Sequence, residues 1–198
     1  MMDTLPSFFN IHIPKTAGST FKHMLKLLYG DDMLMVTDVP VFGGCEKHKD
    51  YQRYKVIQGH LLWFTYYHLP RITWVRNPVD RIASQYYSWL EKPDIMNPVC
   101  NKLYTENLSL REFCLAVPGM IYYMLGDDLA RYKFIGITEK WKRDIDRFQD
   151  MFKIILPKTE NIRVTKNKGH VSSKDRTWIE KHYWKDMELY HEALKIAR

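Results

Sequence analysis

Cysteines and long apolar runs are both scarce in this sequence of 198 residues. Its three cysteines, Cys45, Cys100 and Cys114, cannot all pair and show neither a CxxC nor a zinc-type spacing, which argues against a disulfide scaffold or a zinc module. No apolar run approaches the ~20 residues that a membrane-spanning helix needs. The first residues also lack the basic and apolar regions of a signal peptide, which predicts a cytoplasmic protein. A Golgi-lumenal catalytic domain that has lost its targeting segment is the alternative.

The sequence also lacks repeats, low-complexity segments and any linker long enough to divide it. Residues 1–198 are therefore expected to form a single domain, and a hydrophobic fraction of 45% is enough to give that domain a buried core. Basic residues outnumber acidic ones, which gives a formal net charge of +7. This surplus favours anionic partners such as a nucleotide, an acidic glycan or a nucleic acid.

Strand-like and helix-like patterns alternate along the chain. This alternation predicts an α/β fold, in which a mostly parallel central sheet is flanked by helices on both faces. Ligands of such sheets bind at the carboxyl ends of the strands, so the residues that follow each strand are the candidates for a site. The predicted strands are 8–13, 54–58, 71–75 and 134–137, and the predicted helices are 18–29, 78–90, a short helix capped by Ser109 and Glu112, 139–151 and the region from 173 onwards.

The segment after the first predicted strand, Pro14–Thr20, has the features of an anion-binding turn. Gly18 is expected to let the backbone turn tightly, so that N–H groups at the start of the next helix point at a bound oxyanion. Lys15 adds a mobile positive charge, and Ser19 and Thr20 add hydroxyl donors. The segment departs from the nucleotide P-loop pattern GxxxxGK[ST], because its lysine precedes the glycine. An ordinary strand-to-helix turn with a surface lysine is the alternative.

The third predicted strand is followed by an arginine, Arg76. A P-loop kinase usually places a magnesium-binding aspartate at the end of a neighbouring strand. A guanidinium can instead hold a phosphate directly through two parallel N–H bonds, and Ser84, two turns into the next helix, can add a hydroxyl. Arg81 is better explained as a solvated or core-capping charge than as a ligand. Arg76 and Ser84 thus predict a second phosphate site.

These two segments together resemble those of the sulfotransferases, and most closely the carbohydrate branch that contains heparan sulfate 2-O-sulfotransferase. Residues 12–21 are similar to the family's 5′-phosphosulfate loop, and residues 75–87 to its 3′-phosphate element. Less specific similarities cover 58–61, 136–139 and 184–190. The resemblance implies a P-loop-like sulfotransferase fold and 3′-phosphoadenosine 5′-phosphosulfate (PAPS) as the sulfuryl donor, with no metal ion.

The resemblance also implies roles for individual residues. Lys15 would contact the phosphosulfate and stabilise the bridging oxygen as the sulfuryl group departs. Arg76 and Ser84 would hold the 3′-phosphate. Lys166 and Lys168 fall where relatives close a loop over the nucleotide, although a solvated loop accounts for these two lysines equally well. The 5′-phosphate would be cradled by Thr16, Ala17, Gly18, Ser19 and Thr20.

His60 corresponds to the catalytic histidine of the related 2-O-sulfotransferases and is the expected general base. That family has another histidine two residues earlier, where this sequence has Gln58, so the arrangement around the base or the acceptor differs. A histidine that only forms hydrogen bonds within the core is the alternative for His60. His12 is expected to be structural, and the sequence leaves the role of His170 open. The helix dipole is a sufficient account of Glu139.

The expected reaction is in-line transfer of the sulfuryl group to an acceptor hydroxyl, and a carbohydrate is the favoured acceptor. The aromatic segment 61–68 either lines the acceptor site or belongs to the core, and 91–108 is predicted to be a mobile flap near the acceptor. A non-catalytic nucleotide- or glycan-binding module is the main alternative. A nucleotide kinase is less favoured because the Walker lysine and the magnesium carboxylate are missing, and a nucleic-acid binder because no recognised motif is present.

Overall fold

The computed structural model describes residues 5–36, 50–66, 68–94, 96–159 and 169–198. The strands in this part of the chain are β1 (Phe8–Ile11), β2 (Met33–Val36), β3 (Val56–Gly59), β4 (Arg71–Val75) and β5 (Tyr132–Ile137). The α-helices are α1 (Gly18–Tyr29), α2 (Pro78–Glu91), α3 (Pro98–Thr105), α4 (Leu110–Ala116), α5 (Met120–Leu125), α6 (Trp141–Phe152), α7 (Ser173–His182) and α8 (Trp184–Ile196). None of these helices is long and apolar enough to cross a bilayer.

The strands form one parallel sheet in the order β2-β3-β1-β4-β5. From β1 the chain passes to β2 and β3 on one side, and then to β4 and β5 on the other. Ile11, the last residue of β1, pairs with Gly59 of β3 and with Thr73 of β4. The residues that follow β1 therefore lie between those that follow β3 and β4. The predicted α/β fold with a parallel central sheet flanked by helices is confirmed.

Helices cover both faces of the sheet. Phe8 of β1 packs with Phe21 of α1 and Phe148 of α6 in one core. Phe9, the next residue along the strand, points to the opposite face and belongs to a larger core, to which α2, α4, α5, α7 and α8 contribute. Burial on both faces explains why the strands are apolar along nearly their whole length instead of alternating between apolar and polar residues.

The predicted boundaries agree with the structure at some elements and not at others. The helix predicted over 18–29 and the strand predicted over 71–75 match α1 and β4. The first strand, predicted over 8–13, ends at Ile11, and the C-terminal helical region divides into α7 and α8 at Tyr183. The sequence patterns did not predict β2, α3 or α5. An edge strand of four residues such as β2 is too short for its periodicity to stand out.

Candidate active site

The turn from β1 into α1 has a strained backbone. Lys15 and Ala17 both adopt the left-handed conformation, with φ angles of 69° and 61°, which costs a residue other than glycine about 1–3 kcal/mol. Helix α1 begins without a side-chain cap and without an acidic residue in its first turn. The first N–H groups of a helix have no partner within the helix and carry the positive end of its dipole. This turn can therefore receive an anion on its backbone N–H groups.

Gly18 is needed for a reason other than the tight turn expected from the sequence. Among the described glycines only Gly30 and Gly126 have a positive φ. A Cβ atom built on Gly18 would lie 1.9 Å from Nε2 of His12. The absence of a side chain at Gly18 thus makes room for the His12 ring, and the left-handed residues that turn the chain are its neighbours in the loop.

The hydroxyl-bearing residues of this turn differ in their exposure to solvent. Thr16 is only 1% exposed, and its Oγ1 atom donates to the carbonyl oxygen of Ile13 at 2.8 Å. Thr20 is also buried, whereas Ser19 and Lys15 are partly exposed. The residues predicted to cradle a phosphate therefore share one turn, and its accessible polar side chains are those of Lys15 and Ser19.

Arg76 follows β4 and reaches across to the same turn. Its Nη1 atom donates to the carbonyl oxygen of Lys15 at 3.3 Å. Arg76 and Ser84 line a cleft of about 660 Å³ between α2 and the start of α7. The structure therefore brings the two predicted phosphate sites side by side at the carboxyl edge of the sheet.

The far wall of this cleft is formed by α7 and the residues before it. His170, whose role the sequence left open, lines the cleft. Arg176 of α7 also lines it and donates to a carboxylate oxygen of Asp80 at 2.8 Å. Lys166 and Lys168, predicted to close over the nucleotide, lie outside the described residues.

Glu139 supports the turn from β4 into α2. Its Oε1 atom accepts the backbone N–H of Asn77 at 2.8 Å, and the hydroxyl of Thr138 donates to the carbonyl of Val75 at 2.9 Å. Burial, and after it the Glu139 carboxylate, raise the pKa of Tyr190, so α8 also reaches this turn. Glu139 lies before α6 in a short 3-10 helix and engages a backbone group 62 residues away in sequence, a role that the helix-dipole account did not include.

His60 lies directly after β3, on the other side of the β1 turn from Arg76. Its Nδ1 atom is 2.7 Å from the carbonyl oxygen of His12. A carbonyl can only accept, so the proton of the neutral ring is on Nδ1 and the lone pair is on Nε2. Burial lowers the pKa of His60, with Lys22 adding to this effect and the hydrogen bond to His12 opposing it. The ring is therefore neutral near pH 7 and can accept a proton through Nε2.

Next to His60, the side chain of His12 is half-buried and that of Gln58 lies inside the sheet. The rings of His12 and His60 are stacked, with centroids 4.5 Å apart and an interplanar angle of 24°. Burial, His60 and Lys22 lower the pKa of His12 to about 3, in that order of importance. Gln58 is fully buried, and its Oε1 atom accepts a hydrogen bond from Asn10 at 2.9 Å. The residue that replaces the family's second histidine is thus bonded within the sheet.

Of the segments expected near the acceptor, residues 61–66 lie partly in the core, and the described part of 91–108 is mostly exposed. Leu61 and Tyr66 are fully buried, and Phe64 is the aromatic residue of this stretch with half of its surface exposed. Tyr67 lies outside the described residues. The segment 91–108, predicted to be a flap, contains α3. Arg81 is 1% exposed, so its charge belongs to the core and is not solvated.

Comparison with known proteins gives two findings. A family model described as the sulfotransferase family matches residues 1–116, a span that includes both turns predicted to bind phosphate and His60. Among solved structures, the chain is similar to mouse sulfotransferase SULT7A1 complexed with PAP, with 13% sequence identity and a TM-score of 0.44. That match covers 90% of this chain and 63% of the mouse chain. No curated protein matches in sequence.

Proposed function

Because the chain belongs to the sulfotransferase family, we propose that it transfers the sulfuryl group of PAPS to a hydroxyl group of a carbohydrate. We extend the proposed sulfotransferase domain over residues 1–198, beyond the matched span of 1–116. One observation carries the choice of donor. The Arg76 guanidinium donates to the carbonyl oxygen of Lys15 at 3.3 Å, so two turns suited to anions meet at one edge of the sheet.

PAPS presents two anionic groups on one ribose, and the two turns suit them in different ways. The 5′-phosphosulfate is received by the backbone N–H groups of residues 16–19 and by the ammonium of Lys15. Thr20 closes the turn, because its N–H donates to the carbonyl oxygen of Ala17 at 3.1 Å. The 3′-phosphate is held by Arg76 and Ser84, which share the cleft between α2 and α7. ATP has no 3′-phosphate, so this second grip selects PAPS. In the same proposal, Lys166 and Lys168 are cations that close over the bound nucleotide.

The transfer step follows from the protonation state of His60. Its Nδ1–H group is held by the His12 carbonyl, and Nε2 takes the proton of the acceptor hydroxyl. The acceptor oxygen forms a bond to sulfur while the bond between sulfur and the bridging oxygen breaks. The electron pair of that bond stays on the departing 3′-phosphoadenosine 5′-phosphate (PAP), where the Lys15 ammonium stabilises it.

Charge supports a carbohydrate acceptor that is itself acidic. The chain carries a formal net charge of +7, and Lys22 lies close enough to His60 to lower its pKa. A cation next to the proposed base attracts an anionic substituent of the acceptor. The exposed ring of Phe64 follows His60 by four residues and offers an apolar face to a sugar.

The donor is tested by calorimetric titration with PAP, using ADP and ATP with Mg²⁺ as comparison ligands. We expect PAP to bind much more tightly than either, with no requirement for metal. Preference for ATP with Mg²⁺ would show that the two turns form a kinase site and would overturn the proposal.

The reaction is tested by following radiolabelled sulfate from PAPS into a panel of acidic and neutral saccharides. His60→Ala is expected to reduce kcat at least about 100-fold, because a general base contributes roughly 10²–10⁴. It should leave PAP affinity unchanged. His23→Ala, at an exposed position on α1, is the matched control and should keep full activity. Tight PAP binding with no transfer to any saccharide would favour a non-catalytic binding module instead.

A further inference from the structure

The imidazole of His12 lies between His60 and the turn from β1 into α1, which is called the donor turn here because the proposal places PAPS on it. On one side it contacts the backbone of α1, because a Cβ atom on Gly18 would lie 1.9 Å from its Nε2 atom. On the other side it stacks on the His60 ring, with centroids 4.5 Å apart. Its backbone N–H donates to the carbonyl oxygen of Gly59 at 2.9 Å, which fixes β1 and β3 in register at this point.

We propose that His12 is the positioning residue of the base, which connects the donor turn to His60. This inference rests on the proposed function in one respect, the role of His60 as base. The backbone carbonyl of His12 selects the tautomer by accepting the Nδ1–H group at 2.7 Å. The ring of His12 fixes the plane of the His60 ring, and thereby the direction in which the Nε2 lone pair points. A rotation of that plane moves Nε2 away from the acceptor proton, and a displacement of 1 Å costs a reaction about 10²-fold.

The stack requires a small, neutral and planar group at position 12. A protonated His12 would place a second positive charge against His60 when the base accepts its proton. Burial keeps His12 neutral by lowering its pKa to about 3. Among the described residues, the charged or titratable groups that act on the two rings are the rings themselves and Lys22 of α1. The histidine pair therefore accepts a single proton near neutral pH, and that proton goes to His60.

Gly18 contributes to the position of the His12 ring because it has no side chain. Its φ is not positive, so its backbone conformation is open to alanine. The three atoms nearest to an added Cβ all belong to the His12 ring. A double-mutant cycle on residues 12 and 18 distinguishes this steric contact from a direct requirement for glycine in the donor turn. Gly18→Ala alone forces the His12 ring against His60. In the presence of His12→Ala the added methyl group has room.

The experiment measures kcat, PAP affinity and the nitrogen chemical shifts of ¹⁵N-labelled histidines in wild type, His12→Ala, Gly18→Ala and the double variant. We expect His12→Ala to lower kcat about tenfold to 100-fold and to change PAP affinity less than threefold. Water that enters the vacated space relieves the burial of His60, so its pKa rises and the acidic limb of the kcat/KM profile moves to higher pH. Gly18→Ala should lower kcat in the wild-type background and have little effect in the His12→Ala background.

The chemical shifts make the result independent of sulfotransferase activity. Wild-type His60 should titrate below its ordinary pKa of 6.5 with the proton of its neutral form on Nδ1. His12→Ala should raise that pKa and leave the proton on Nδ1, because the backbone carbonyl of residue 12 remains. If no PAP binding or transfer is found but these shifts occur, the proposed function fails and the positioning by His12 stands. Unchanged kcat and unchanged His60 shifts in His12→Ala overturn the inference, as does an equal loss from Gly18→Ala in both backgrounds.

Should His12→Ala fold poorly, His12→Gln removes the planar ring while keeping a side chain of similar size, and the same outcomes apply. His23→Ala is the control and is expected to leave His60 unaffected.

Discussion

The turn from β1 into α1 and the turn from β4 into α2 are neighbours at the same edge of the sheet, but their helices begin differently. At α2 the Asn77 side chain accepts the N–H groups of Val79 and Asp80, with Pro78 at the first position of the helix. The backbone N–H of Asn77 itself donates to the Glu139 carboxylate. At α1 the cap residue Ala17 is left-handed and supplies no side-chain bond.

In the proposed site, this difference means that the two neighbouring turns bind anions in different ways. The protein itself satisfies the N–H groups at the start of α2, so this turn offers an anion the side chain of Arg76. The start of α1 has neither a cap nor an acidic residue, so this turn offers its backbone together with Lys15. The capped turn supplies a side-chain charge, whereas the uncapped turn stores backbone strain and supplies backbone N–H donors.

Lys15→Ala tests the charge of the uncapped turn and has the largest expected effect. We expect kcat to fall at least about 100-fold, because removal of one group that stabilises developing negative charge costs about 10²–10³. Sulfate transfer from labelled PAPS measures it. Lys26→Ala on α1, where the lysine is exposed, is the matched control and should retain activity. A loss confined to KM would show that Lys15 binds the donor without acting on the leaving oxygen.

Arg76→Ala tests the side chain that the capped turn supplies. PAP affinity is expected to fall about tenfold to 100-fold, since hydrogen bonds to charged groups contribute about 1.5–3 kcal/mol. Affinity for ADP, which lacks the 3′-phosphate, should change much less. Calorimetry with both nucleotides measures the difference, and Arg53→Ala at an exposed site is the control. Equal losses for PAP and ADP would place Arg76 at the 5′-phosphate instead.

Asn77→Ala tests the cap itself. The free energy of unfolding should decrease by about 1 kcal/mol, which is typical when a helix loses its N-cap side chain. Urea denaturation followed by circular dichroism measures it. The freed N–H groups of Val79 and Asp80 would then resemble the start of α1. An unchanged stability would mean that Glu139 and Pro78 hold the turn without Asn77.

Ala17→Gly tests the strain of the uncapped turn and has the smallest expected effect, with the opposite sign. Glycine adopts the left-handed conformation without the cost of about 1–2 kcal/mol that alanine bears, but it gains about 0.4–1 kcal/mol of entropy in the unfolded chain. A stabilisation of about 0.5 kcal/mol is therefore expected in the same urea experiment. A clear loss of stability would show that the methyl group of Ala17 makes a packing contact worth more than the strain.

Local signals in the sequence were sufficient for much of the fold. Asn77 and Pro78 predicted the start of α2, and Ser109 with Glu112 predicted a capping box that the structure contains. The same Asn-Pro signal stands at Asn97 and Pro98, where α3 begins within the segment 91–108 that is predicted to be a flap. These features depend on residues within a few positions of one another, which is why sequence patterns reveal them.

The remaining features of the site depend on contacts between distant parts of the chain. The bond from Asn77 to Glu139 joins residues 62 positions apart, and that between His60 and His12 joins residues 48 apart. No spacing rule relates such residues, because their proximity results from the order in which parallel strands are placed. The role of Gly18 was missed for the same reason, since the ring that excludes a side chain there belongs to His12.

By itself, the sequence determined the class of fold and the residue types at the ends of β1, β3 and β4, because strand and helix periodicity and capping are local properties. Only the tertiary structure decided how these residues act together. Placing β1 between β3 and β4 sets Lys15 beside Arg76 and His12 against His60. The physical reason is that burial, stacking and the choice of a histidine tautomer depend on neighbours in space, and parallel strands bring those neighbours from distant parts of the chain.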